Sequence, residues 1–163
     1  MTKQNTKGFT LIELLVVIAI IGILSTLAVV SLSSARARAR DSRRIADIRN
    51  IQSALELYFT DNSVYPGPNG PTDISAAAGA TYNLCTTDDW STTACAAGTI
   101  LISVPPEASS GDVYNYTRKN AGSGTNNDYS IYFTLEGTAG NITGNGCATP
   151  SGIADLTAGV TSC

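Results

Sequence analysis

Histidine is absent from the 163 residues, so no imidazole can act as base or metal ligand, and the serine–histidine and cysteine–histidine nucleophile systems are excluded. The adjacent acids Asp88 and Asp89 have the residue types of a hydrolytic pair. Nothing around them in the sequence would drive their proton affinities apart, which acid–base work requires. No catalytic residue is therefore expected, and the chain is read as not an enzyme. Asp88 and Asp89, and the run Asn126-Asn127-Asp128, carry oxygens of the kind calcium takes, but Asx clusters in loops usually serve turns. The expectation is no cofactor, with calcium at Asp88, Asp89, Asn126 and Asp128 as the lesser alternative. The four cysteines contain no C-x2-C pair, which argues against zinc. Arg36, Arg38, Arg40, Arg43, Arg44 and Arg49 form a basic run without interleaved aromatics, so stacking on DNA bases is not expected. Spacing suits them to pairs such as Arg43 with Asp47 and Arg38 with Asp41.

The chemistry that remains lies in one carboxylate, Glu13. It is the single ionisable side chain in Phe9 to Val30, a run of 22 residues otherwise apolar on every helical face. As a helix that run is about 33 Å long, enough to cross a hydrocarbon core of about 30 Å. A carboxylate there costs about 2.5 to 3.5 kcal/mol, which marks Glu13 as functional unless it lies shallow enough to snorkel to the interface. Charge is uneven: residues 1–50 hold eight basic and three acidic side chains, residues 51–163 two and ten. Lys3 and Lys7 precede the apolar run, and the next basic residue is Arg36. That asymmetry predicts a single membrane pass with the N-terminus cytoplasmic and the rest outside. No persuasive small-x-small cleavage site follows the apolar run.

Lys7-Gly8-Phe9-Thr10-Leu11-Ile12-Glu13-Leu14, followed by the apolar stretch, resembles the prepilin signal of type IV pilins and type II secretion pseudopilins. The resemblance implies removal of a leader 1–8 by a prepilin peptidase that cuts between Gly8 and Phe9. It further implies methylation of the Phe9 amine and assembly into a helical filament in which Glu13 meets the Phe9 amine of a neighbouring copy. Many relatives place a proline near Val30 and Ser31; its absence here predicts a more continuous helix. Tyr65-Pro66, Val104-Pro105-Pro106-Glu107 and Val113-Tyr114-Asn115-Tyr116 are similar to junctions of major pseudopilins, with Ser63 where those often carry glycine.

The elements that must position these groups follow from periodicity. Ile45, Ile48, Ile51, Leu55, Tyr58 and Phe59 recur at three- and four-residue spacing, so the helix continues out of the membrane to about Thr60 with one apolar face. Residues 9–34 are read as membrane or filament-core helix, 35–62 as its amphipathic continuation and 63–163 as an extracytoplasmic, β-rich head. Residues 67–112 read as a long loop region with short elements near Ile74–Ala78 and Thr99–Val104. Val113–Thr117 and Asp128–Leu135 predict a hairpin, and Asn141–Cys147 a further strand, giving a small antiparallel sheet of three or four strands. Trp90 and the tyrosines are expected in core and strands. The fold expected is α+β and pilin-like, with the long helix packed on that sheet.

Cys85, Cys95, Cys147 and Cys163 all fall on the side expected outside, where disulfides are favoured. Of three possible pairings, Cys85–Cys95 and Cys147–Cys163 close the most local loops. The C-terminal pairing is similar to the cysteine-closed loop of many type IV pilins, which major pseudopilins usually lack. The function expected is a structural prepilin subunit, with copies of itself, the processing enzyme, an assembly machinery and membrane lipid as partners. The alternatives are a monomeric, membrane-anchored binding module, whose function would not need Glu13, and an anchored hydrolase built on Asp88 and Asp89.

Overall fold

The computed structural model describes residues 8–67, 71–74, 82–86, 90–92, 95, 98–104, 114–121, 125–156 and 163. Helix α1 runs unbroken over Leu11–Asn62. Contacts divide the chain into two units, one ending at Ala37 and the other spanning Arg38–Cys163.

In the first unit α1 buries nothing. Leu11, Ile12, Leu14, Ile23 and Val30, on different faces of the helix, are each more than 60% exposed. Such a surface is stable only when lipid or another apolar surface covers it.

The second unit holds the core. Ile48, Ile51, Leu55 and Tyr58 of α1 are buried, as their spacing requires, and Ile45 and Phe59 pack partly buried beside them. The strands are β1 (Pro71–Asp73), β2 (Asn83–Cys85), β3 (Trp90–Ser91), β4 (Ile100–Ser103), β5 (Asn115–Ala121), β6 (Thr125–Ala139), β7 (Ile142–Thr149) and β8 (Gly152–Asp155). They form a five-stranded sheet in the order β1-β5-β6-β7-β8 and a three-stranded sheet in the order β3-β2-β4. Every pairing is antiparallel. On β6 every second residue, Tyr129, Ile131, Phe133 and Leu135, is buried against the α1 stripe, with Tyr116 of β5 and Ala148 of β7 in the same cluster.

The α+β arrangement of one long helix on antiparallel sheet is the expected one, but the head is richer in strand than its sequence suggests. The single sheet of three or four strands is corrected to five plus three. β1, β2 and β3 lie inside the region read as loop, and β8 was not anticipated. These strands have only two to four residues, too short to show a period, and they exist because a neighbour pairs them. The predicted hairpin and third strand appear as β5, β6 and β7 with longer bounds. Thr99–Val104 contains β4. Most of the Ile74–Ala78 element, with Pro105–Glu107 and Val113, falls outside the described residues.

α1 ends where its sequence turns polar. Ser63 takes φ 59°, its N–H donates to Phe59 O at 2.7 Å, and Asn62 Nδ2 donates to Tyr58 O at 3.1 Å. This left-handed position closes a helix and is ordinarily glycine's. Trp90 lies on β3, partly buried, with its ring centroid 5.5 Å from that of Tyr116.

Candidate assembly site

The N-terminus of α1 is built by Thr10 and Glu13. Thr10 N–H donates to Glu13 Oε2 at 2.8 Å, Thr10 Oγ1 donates to the same oxygen at 2.7 Å, and Glu13 N–H lies 3.3 Å from Thr10 Oγ1. This is a reciprocal capping box: the threonine caps the helix start and the glutamate three residues on returns the bond. The helix therefore starts at Leu11 rather than Phe9, with Thr10 as its cap. The signal for this cap in the sequence is Thr-x-x-Glu ahead of an apolar run. Within one protomer the carboxylate is already hydrogen-bonded, beside the positive end of the helix dipole.

Phe9 is 90% exposed. At Gly8 an added Cβ would meet nothing within 4 Å among the described residues, whose packing places no demand for a glycine at that position.

A second charged cluster had no counterpart in the sequence reading. Asp41 and Arg44, one turn apart on α1, are both buried, and Arg44 Nη1 donates to Asp41 Oδ1 at 2.9 Å. The register of β6 with β7 shifts between Thr134 and Thr138. Inside that irregularity the N–H groups of Glu136 and Gly137 donate to Asp41 Oδ1 and Oδ2 at 2.8 and 2.9 Å. The Glu136 carboxylate accepts from Arg44 Nη2 at 3.2 Å and from Arg40 Nε at 2.6 Å. Two carboxylates and two guanidiniums thus form a neutral network that fastens the helix to the bulged strand, each buried charge compensated. The expected Arg38–Asp41 pair is corrected: Asp41 faces into the head and takes Arg44, while Arg38 is exposed. Arg43 does face Asp47, whose carboxyl is pushed above the ordinary value by burial and drawn partly back by that arginine.

The cysteines are joined as Cys85–Cys95 and Cys147–Cys163, with Cα atoms 5.7 and 5.9 Å apart. The first ties β2 to a loop residue and the second ties β7 to Cys163, whose carbonyl also accepts from Lys119 Nζ of β5. Of the oxygens considered for calcium, Asp88 and Asp89 lie outside the described residues, as does the Asn126 side chain. Asp128 lies within β6 opposite Lys119, and its Oδ1 accepts the N–H of the next residue, Tyr129, at 2.8 Å.

The family model described as a prokaryotic N-terminal methylation motif matches residues 3–29. Type II secretion system core protein G of Klebsiella michiganensis is 44% identical over 66 residues, 40% of this chain and 46% of that protein. Its Escherichia coli counterpart is 41% identical over the same length, again 40% and 46%. Fimbrial protein EcpC of Eikenella corrodens is 39% identical over 82 residues, 50% of this chain and 54% of that protein. The chain thus spans about half the length of the curated relatives it matches. No solved structure matches it.

Proposed function

We propose, from the premise that this chain carries the N-terminal signal of the type IV pilin and pseudopilin superfamily, that it is a filament subunit processed at Gly8–Phe9. The observation that carries this reading is the pairing of a fully uncovered apolar helix surface with the Thr10–Glu13 cap at its start. In the inner membrane, lipid covers the helix; in a fibre, neighbouring copies do. Exchange between two apolar coverings changes little in hydrophobic energy, so direction and register come from polar groups. Cleavage exposes a Phe9 amine, methylated by the processing enzyme, one residue from Thr10. Glu13 then neutralises that cation on a neighbouring copy, because an unpaired charge in an apolar fibre core is costly. The head stays outside the cytoplasm, where its disulfides persist.

The names of the relatives support either a secretion pseudopilus or a surface pilus. The test is to shear cells, collect fibres and determine the N-terminal mass of the subunit. Expected is a chain beginning with N-methylated Phe9 inside long fibres or, for a pseudopilus, in short fibres that lengthen when the subunit is overproduced. An intact leader on the fibre, or a processed chain found only as a membrane monomer, overturns the reading.

A further inference from the structure

Between α1 and the far edge of the five-stranded sheet lies an open groove of about 480 Å³. Its apolar walls are Ile45 of α1, Ile142 of β7 and Ile153 of β8, the β6–β7 turn at Gly140 forms one end, and Arg49 stands in its lining with no carboxylate beside it. Arg49 is exposed, and its guanidinium has no hydrogen-bond or ion-pair partner among the described residues. Elsewhere on the second unit the complement is present. Leu57 is 51% exposed, and Asp61, one turn further along α1, is exposed too. Every other carboxylate whose side chain is described accepts a hydrogen bond or faces Arg43, whereas Asp61 does neither.

We infer that the groove receives the Leu57–Asp61 face of a second copy of this chain, leucine against the three isoleucines and Asp61 against Arg49. This rests on the filament reading and names a contact within it. The two groups cannot satisfy one another inside one protomer: twelve residues of helix separate them by about 18 Å along the axis and about 120° around it. A contact between two different surfaces of identical copies is heterologous and propagates without closing, as a fibre requires. Charge complementarity fixes the choice of occupant and its orientation.

The test uses full-length chain in cells that make fibres. Arg49→Asp and Asp61→Arg should each lower sheared-fibre yield by about tenfold or more, since each turns an attraction repeated at every subunit into a repulsion. Yield should recover in the Arg49→Asp/Asp61→Arg double variant and when the two single variants are co-produced, because each then supplies the partner the other lacks. Disulfide mapping of the single variants should show both native bridges, separating lost assembly from a misfolded head. Unchanged yield in the single variants, or loss that neither the double variant nor co-production restores, overturns the groove contact while leaving the filament reading intact. Absence of fibres from the unmodified chain overturns the filament reading itself.

Discussion

At residue scale, the capping box gives Glu13 a local role that substitution can separate from the assembly role proposed for it. Removal of its carboxylate from an isolated membrane protomer would be neutral or favourable if the group sat unsatisfied in lipid, but here it accepts two bonds from Thr10, so its loss also weakens the helix start. Glu13→Gln keeps an oxygen for those bonds and removes the charge. On the proposed filament reading, the variant should be processed normally, keep a folded head and native disulfides, and yield few or no fibres, because a Phe9 amine entering the fibre core would then be uncompensated at a cost of about 3 to 5 kcal/mol. Quantifying processed subunit in membrane and sheared fractions checks this; normal fibre yield would favour an anchored monomer. Asp41 is the corresponding residue in the head. Asp41→Ala leaves buried Arg44 with Glu136 as its remaining carboxylate and orphans two N–H groups in the β6 bulge, and should destabilise the head by about 3 to 5 kcal/mol in denaturant unfolding of the purified chain.

At the scale of elements, two backbone positions carry opposite constraints. Ser63 holds the left-handed conformation at the end of α1 with a side chain that disfavours it. Ser63→Gly should stabilise the head by about 0.5 to 1 kcal/mol, since relief of the steric penalty of about 1 to 2 kcal/mol outweighs glycine's added unfolded-state freedom. At Gly146 the constraint is space: a Cβ would come within 2.2 Å of Phe133 Cζ on the paired strand β6. Phe133 is fully buried and has little room to yield, so Gly146→Ala should cost about 1 to 3 kcal/mol. Thermal unfolding of the two variants should move their midpoints in opposite directions.

For the whole molecule, the head is closed by aromatic packing from separate elements. Tyr65, after α1, lies with its ring centroid 4.7 Å from those of Phe59 and Tyr129. Burial, then the bond its hydroxyl donates to Glu56, pushes the Tyr65 proton affinity well above the ordinary tyrosine value. Burial, then the nearby charge of Glu56, does the same to Tyr129. Both groups ionise at lower pH in the unfolded chain than in the folded head. Their contribution to stability is therefore fully present below the ordinary tyrosine value and is lost as pH rises beyond about 10 toward the higher folded values. Alkaline unfolding followed by tyrosinate absorbance should show a late, cooperative rise for these two; early, independent ionisation of both would contradict the packing described.

Features that depend on short-range pattern are legible in the amino-acid order alone. Lys7 to Leu14 carried the processing signal, the apolar run and the three- and four-residue spacing of Ile45 to Phe59 carried the helix, and β-branched and aromatic composition placed Asp128 to Leu135 in a strand. Loop length and an expected location outside the cytoplasm favoured the pairs Cys85–Cys95 and Cys147–Cys163, although spacing could not eliminate the other two connectivities. The tertiary structure alone decided what depends on long-range contact. β1, β2, β3 and β8 are too short to carry a period and are stabilised by their partners. Asp41 meets Glu136 and Gly137 across 95 and 96 residues of chain, because a strand bulge turns two N–H groups toward the helix. No local spacing distinguishes that buried aspartate from one paired with Arg38. The groove beside Arg49 exists for the same reason: helix, turn and edge strand enclose it only once the five-stranded sheet has closed against α1.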